Sequence, residues 1–194
     1  MFGDIVFDVL SWEESYNITL YLYEKMKRDN FIPEAILGIA RGGWIPSRLL
    51  ADFFMQRTTS NIKVEFYGKI GETYDKPKIV QYPGDEIRGK QILIVDDVAD
   101  TGKSLKVVID YLTELGEVEF KVATLHYKPH SVVLPDYYFK ETTDWIVFPW
   151  EYYEFIGEII EKLEANQSPA EIKDQLKNLG IPPGIVDSYF HNHS

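Results

Sequence analysis

Two adjacent carboxylates, Asp96 and Asp97, stand just ahead of Ala99-Asp100-Thr101-Gly102-Lys103-Ser104. The second group is a short turn of small and hydroxyl residues, and apolar residues at helical spacing follow it. Such a turn opening a helix suits an anion. Its backbone N–H groups lack intrahelical partners, the helix dipole favours negative charge there, and Thr101 and Ser104 add hydroxyl donors. The paired carboxylates have another use. They can accept hydrogen bonds from a diol, or hold a divalent cation already bound to phosphates. Phosphate, sugar hydroxyls and metal within a few residues describe a sugar phosphate. Gly102-Lys103-Ser104 also invites comparison with the Walker A loop GxxxxGK[ST]. That loop needs glycine five places before Gly102, where this chain has Asp97, so the pattern fails.

These residues need a rigid support, and the flanking sequence supplies one. Ile92-Leu93-Ile94-Val95 reads as a strand buried on both faces, and Lys103 to Leu115 reads as a helix stopped by Gly116. Ala35 to Ala40 is a second buried-strand candidate. It ends in Arg41-Gly42-Gly43, and a helix follows through Phe53. In open α/β sheets ligands sit at the carboxyl edge of the strands, and here the turn also carries a guanidinium able to grip phosphate with paired donors. Further strands are expected at 63–67, 79–82 and 118–125, with a loop into an edge strand at 132–139. Lys128 beside Pro129 is held at a strand end and suits a carbonyl oxygen. His126 and His130 have i,i+4 spacing, but Pro129 breaks a continuous helix, so ordinary polar histidines are favoured over a metal site. Trp145 can stack on a planar heterocycle, although alone it reads as core.

At 194 residues the chain has room for one core and a small appendage. A net charge of -11 argues against broad nonspecific binding to nucleic acid. Without cysteine there are neither disulfides nor thiolate metal sites. No apolar run approaches a membrane span and no signal peptide is evident, so the default is a cytoplasmic protein.

Val95-Asp96-Asp97-Val98-Ala99-Asp100-Thr101-Gly102-Lys103-Ser104-Leu105 resembles the phosphoribosyl-diphosphate (PRPP) signature of the type I phosphoribosyltransferases. Ala40-Arg41-Gly42-Gly43 resembles that family's pyrophosphate loop, which often holds a cis peptide; the expectation here is a cis bond before Arg41. Lys128-Pro129 followed by Trp145-Ile146 and Pro149-Trp150-Glu151 resembles the hood of the 6-oxopurine branch. The resemblance covers about residues 6–153. It implies an α/β fold with a mainly parallel sheet flanked by helices and a small hood. It also implies transfer of the phosphoribosyl group from PRPP to N9 of hypoxanthine, guanine or xanthine in purine salvage, with Mg2+ and as a homodimer or higher homo-oligomer.

Residue by residue, the resemblance gives Asp96 and Asp97 to the ribose hydroxyls and, through ribose or water, to the metal. Ala99 to Ser104 cradle the 5-phosphate. Arg41 and Gly42 stabilise the leaving pyrophosphate. Asp100 contacts N7 as general base or acid. Lys128 donates to O6, Trp145 stacks on the ring, the Ile146 backbone meets the base edge, and Glu151 lies near base or metal. Residues 68–78 would form a lid, with Gly68 and Gly71 as hinges and Lys69, Lys76 or Lys78 approaching the pyrophosphate. The expected division is a core with hood at 1–155 and a helical appendage at 156–194. The appendage opens at Ser168-Pro169-Ala170-Glu171, a strong helix start. Two other readings stand beside this one. Another base, such as adenine, is one. The other is a PRPP- or nucleotide-sensing regulator of the same fold; against it, only about 34 residues precede the first core strand, and the charge balance is acidic.

Overall fold

The structure is a computed structural model and describes residues 5–67, 76–116, 119–163 and 167–193. A short strand, β1 (Phe7–Val9), leads into helix α1 (Trp12–Arg28). Ser11 and Glu14 cap that helix reciprocally. The Glu14 N–H donates to Ser11 Oγ at 3.1 Å, and the Ser11 N–H donates to the Glu14 carboxylate at 2.8 Å. Replacing Ser11 with alanine should therefore lower stability by about 1 kcal/mol. Hydrogen bonds from the Ser11 side chain and backbone also hold the Glu14 carboxyl below its ordinary value. A depressed carboxyl contributes stability above the unfolded group's titration range, and that stability is lost as pH falls through the folded value. Thermal melts across about pH 3 to 7 should show a smaller acid-side loss in Ser11→Ala than in the unsubstituted protein. Parallel curves would refute the linkage.

Next come β2 (Ala35–Ala40), α2 (Trp44–Phe53), β3 (Thr59–Tyr67) and β4 (Lys76–Gln81), then a single 3-10 turn at Asp85–Ile87. After it run β5 (Gln91–Ala99), α3 (Lys103–Glu114), β6 (Glu119–Tyr127) and β7 (Tyr137–Glu141). The chain ends with β8 (Trp145–Val147), α4 (Tyr152–Leu163), α5 (Pro169–Asn178) and α6 (Pro183–Asn192). It forms two compact units, Tyr16–Thr143 and Met1–Ser15 with Asp144–Ser194.

The larger unit carries a six-stranded sheet in the order β4-β3-β2-β5-β6-β7, with every neighbouring pair parallel except β3 and β4. This is the expected α/β arrangement. The apolar runs explain it: every residue of β2 is buried, as are Ile92 to Val95 of β5, which suits strands covered on both faces. On one face of the sheet Ala35, Leu37, Ile39, Ile92 and Ile94 pack with Ile62, Leu105, Val108, Leu112 and Val122 in one core. From β2 the chain steps outward to β3, and from β5 it steps the other way to β6. The strand order therefore reverses between β2 and β5, and a crevice opens at the carboxyl ends of those two strands. Several boundaries differ from the sequence reading: β3 begins earlier, at Thr59, β4 takes in Lys76 to Lys78 of the expected lid, β6 runs on to Tyr127, and β1 and β8 are strands that the sequence did not mark. The β5 strand does not stop at Val95 but continues through both aspartates to Ala99, because β6 keeps pairing with it: Asp96 lies opposite Thr124, and Ala99 opposite Tyr127.

In the other unit β1 pairs in parallel with β8, setting Asp8 beside Ile146. Phe7, Phe155, Ile156, Ile159, Ile172, Leu176, Ile181 and Val186 form its apolar cluster. The Tyr152 hydroxyl donates to the Leu10 carbonyl. Helix α5 starts as its sequence requires, with Pro169 in the first turn and reciprocal hydrogen bonds between Ser168 and Glu171. Gly180 ends the following turn at φ +104°, a conformation that favours glycine.

Candidate functional site

The two loops after β2 and β5 converge at the switch point. Residues 41–43 turn directly from β2 into α2, and the peptide between Ala40 and Arg41 is cis, as expected. The turn lies so close to the sheet that side chains are excluded. A Cβ on Gly43 would stand 2.3 Å from the Val95 carbonyl oxygen, and one on Gly42 would stand 2.1 Å from Asp97 Oδ2. Gly42 therefore makes room for the Asp97 carboxylate. The glycine pair is there because two backbones and a carboxylate occupy the space of its side chains.

Beyond β5, Asp96, Asp100, Thr101, Gly102, Lys103 and Ser104 line a cavity of about 320 Å³, together with Phe66, Val98 and Leu105. Gly102 caps α3 at φ +72°, and no acidic residue lies in the helix's first turn to compete for its N–H groups. Asp97 Oδ1 accepts from the Val98 N–H at 2.7 Å, and Asp96 Oδ1 accepts from the Asp97 N–H at 3.1 Å. Asp96 is half-buried where it lines the cavity. Desolvation first, and the neighbouring Asp97 charge second, push it well above the usual carboxylate range, while the N–H groups of Asp97 and Gly43 pull the other way. Two carboxylates so placed are best relieved by hydroxyl donors or a cation.

The structure thus gathers most of the phosphate-loop residues into one cavity. Ala99 is buried in the strand that supports them, and Arg41 is exposed at the head of its turn. Lys128 is buried at the end of β6, and its N–H donates to the Ala99 carbonyl at 3.0 Å. Trp145, Ile146 and Glu151 belong to the other unit. There Trp145 is half-exposed and lines a cavity of about 240 Å³ with Ile5, Phe7, Phe155 and Leu163, while Ile146 is buried. Glu151 Oε1 accepts from the Phe148 N–H at 3.0 Å, which closes the turn before α4. Residues 68–75 of the expected lid lie outside the described residues; Lys78 is exposed on β4, in register with Glu65.

Val98 and Leu105 line the cavity from within the signature without a role having been assigned to them, and Phe66 and His130 come to the site from outside it. Phe66 forms part of the cavity wall from β3, where alternation marked it only as a strand residue. His130 places its Nε2 3.0 Å from Asp100 Oδ1, although its spacing to His126 was the only signal it carried.

A phosphoribosyl transferase domain matches residues 11–154, about three quarters of the chain and all of the loops just described. The chain belongs to the phosphoribosyltransferase family. Among similar phosphoribosyltransferases, the xanthine-guanine enzyme of Cereibacter sphaeroides is 34% identical over 127 residues, covering 63% of this chain and 72% of that one. The crystal structure of a purine phosphoribosyltransferase from Pyrococcus horikoshii is 40% identical, with a TM-score of 0.66 over 74% of this chain and 93% of that one. The xanthine-guanine-hypoxanthine enzyme of Helicobacter pylori is 25% identical, with a TM-score of 0.65 over 75% and 94% of the respective chains. In this phosphoribosyltransferase the match ends near the start of α4, and α5 and α6 lie outside the matched residues.

Proposed function

We propose that this phosphoribosyltransferase moves the 5-phosphoribosyl group from PRPP to N9 of a 6-oxopurine, releasing pyrophosphate. The product is a nucleoside 5'-monophosphate, and the role is purine salvage. The observation that carries the reading is the cavity at the carboxyl end of β5, which combines a helix N-terminus with the carboxylates of Asp96 and Asp100 at a topological switch point, while the Asp97 carboxylate lies against Gly42. The similar proteins named for xanthine, guanine and hypoxanthine give the base class.

The 5-phosphate takes the α3 N-terminus, with Thr101 and Ser104 donating hydroxyls and residues 101–104 donating N–H groups. Asp96 and Asp97 accept from the ribose hydroxyls. Arg41 and the Gly42 N–H stabilise the pyrophosphate as the C1′–oxygen bond breaks and its electron pair leaves with that group. The N9 lone pair forms the new bond to C1′, and the N7 proton passes to Asp100. Positive charge develops on the ribose ring, so the chain's contribution is positioning and electrostatics. Lys128 donates to O6, Trp145 stacks on the base, and the Ile146 backbone meets its edge.

A magnesium ion fits this donor set. Asp96 and Asp97 offer a crowded pair of carboxylates, one of them desolvated, and among the described residues no group of three or more ligating side chains forms a protein cage. A cation held here would take most of its ligands from substrate oxygens and water, as magnesium prefers. Bound with PRPP, it supplies positive charge against the departing pyrophosphate. No described helix is long and apolar enough to cross a membrane, and the enzyme is read as a cytoplasmic homodimer or higher homo-oligomer.

The test is magnesium- and PRPP-dependent turnover across hypoxanthine, guanine, xanthine and adenine. Turnover with one or more 6-oxo bases and little with adenine is expected. PRPP binding without turnover on any base would instead favour a sensing protein. Lys128→Ala in the same assay should narrow the 6-oxo over 6-amino preference by about tenfold, the worth of one well-placed hydrogen bond to a charged group. An unaltered preference would refute the O6 contact.

A further inference from the structure

The geometry points to His130 as a positioning residue that fixes the Asp100 carboxylate for proton transfer at the base. This rests on the role proposed above for Asp100. The contact is His130 Nε2 to Asp100 Oδ1 at 3.0 Å. An ionised carboxylate only accepts, so Nε2 carries the proton in this pair, and with Oδ1 engaged the proton from the base is assigned to Oδ2.

The pair is not an accident of two mobile side chains. The turn holding His130 is laced to the phosphate loop on both sides of it. The Lys128 N–H donates to the Ala99 carbonyl, and the Val132 N–H to the Thr101 carbonyl, each at 3.0 Å. The turn itself is closed by the Ser131 N–H donating to the Lys128 carbonyl at 3.0 Å. Gly102 lets the two segments meet, since a Cβ there would stand 2.3 Å from Ser131 Oγ and 2.9 Å from the Val133 nitrogen. Residues 128, 130 and 132 thus face 99, 100 and 101 in order. Pro129 fixes the backbone just before His130. Histidine and aspartate are also short, so little side-chain freedom is lost in holding the bond.

The same geometry gives the pair little weight in stability. The two side chains are 61% and 59% exposed, and pairs so open to water contribute little to folding. What the contact does supply is orientation. Asp100 is exposed at the mouth of the cavity, and a carboxylate there rotates unless something holds it.

The experiment compares His130→Ala and His130→Gln with the unsubstituted protein, alone and combined with Asp100→Asn. His130→Ala should lower kcat for the preferred 6-oxopurine by about tenfold while leaving the melting temperature and the KM for PRPP unchanged. His130→Gln, whose amide can donate from nearly the same place, should restore most of the loss. In the Asp100→Asn background His130→Ala should cost nothing further, because the group it orients no longer takes a proton. Ligand-free crystal structures should show one Asp100 orientation in the unsubstituted protein and a rotated or divided one in His130→Ala. An unchanged kcat in His130→Ala, no rescue by glutamine, or a full additional loss in the double variant would overturn the proposal. So would an Asp100 carboxylate that stays in place without His130. Absence of 6-oxopurine turnover in the unsubstituted protein would overturn the functional reading together with this role, and the crystal structures keep that failure distinct from loss of the contact itself.

Discussion

Asp100→Asn should lower kcat for hypoxanthine or guanine by about 100- to 1,000-fold, the usual worth of a positioned acid–base group. The KM for PRPP should change little. Asparagine keeps the shape of aspartate and can still accept from His130, so the loop geometry survives. The 5-phosphate is assigned to N–H and hydroxyl donors at 101–104, which the substitution leaves in place. What is lost is the ability to take the N7 proton. Initial-rate kinetics with PRPP and base varied separately give both quantities. Equal turnover in the variant would remove Asp100 from the mechanism, and a large rise in the KM for PRPP would place it in phosphate binding instead.

Among the described glycines, Gly43→Ala should be the most damaging single-methyl addition. The new Cβ would stand 2.3 Å from the Val95 carbonyl oxygen, 2.7 Å from the Ile39 carbonyl oxygen and 2.8 Å from the Ile39 nitrogen. All three belong to the backbones of the central strands β2 and β5, so no side chain can swing aside. Relief requires these strands to separate, at a cost of about 3 kcal/mol, the upper range for overpacking. For a chain of this size that is a fall in melting temperature of roughly 6–12 °C. Gly184→Ala is the matched control, since its Cβ would meet nothing within 4 Å and its φ is not in the left-handed region. Its expected change is within about 0.5 kcal/mol. Similar melting curves for the two variants would mean that the loop is not pressed on the sheet as described.

These expectations draw on different levels of the chain. The unbroken apolar runs of β2 and β5 mark buried parallel strands from composition alone, because only a strand covered on both faces has no need of alternation. The caps at Ser11 and Ser168 are equally local, since both partners lie within one turn of helix. The loop after β5 was legible too: a helix N-terminus dressed with hydroxyls and carboxylates is chemistry written in consecutive residues.

Contacts between distant segments were not legible in this way. The extension of β5 through Asp97 depends on β6 continuing to pair with it, and no property of the aspartates announces that. Gly42 reads as a flexible turn residue until the Asp97 carboxylate is found filling the space beside it. His130 and Asp100 lie 30 residues apart, and Phe66 reaches the same cavity from another strand. Hydrophobic periodicity, capping and helix-terminus electrostatics act over a few neighbouring residues, so the central strands, the main helices and the anion-binding turns could be read from short stretches. Which of those turns meet, and which side chains face one another across them, could not. Strand order and register are set by the packing of the whole sheet, and no short stretch of chain carries that information.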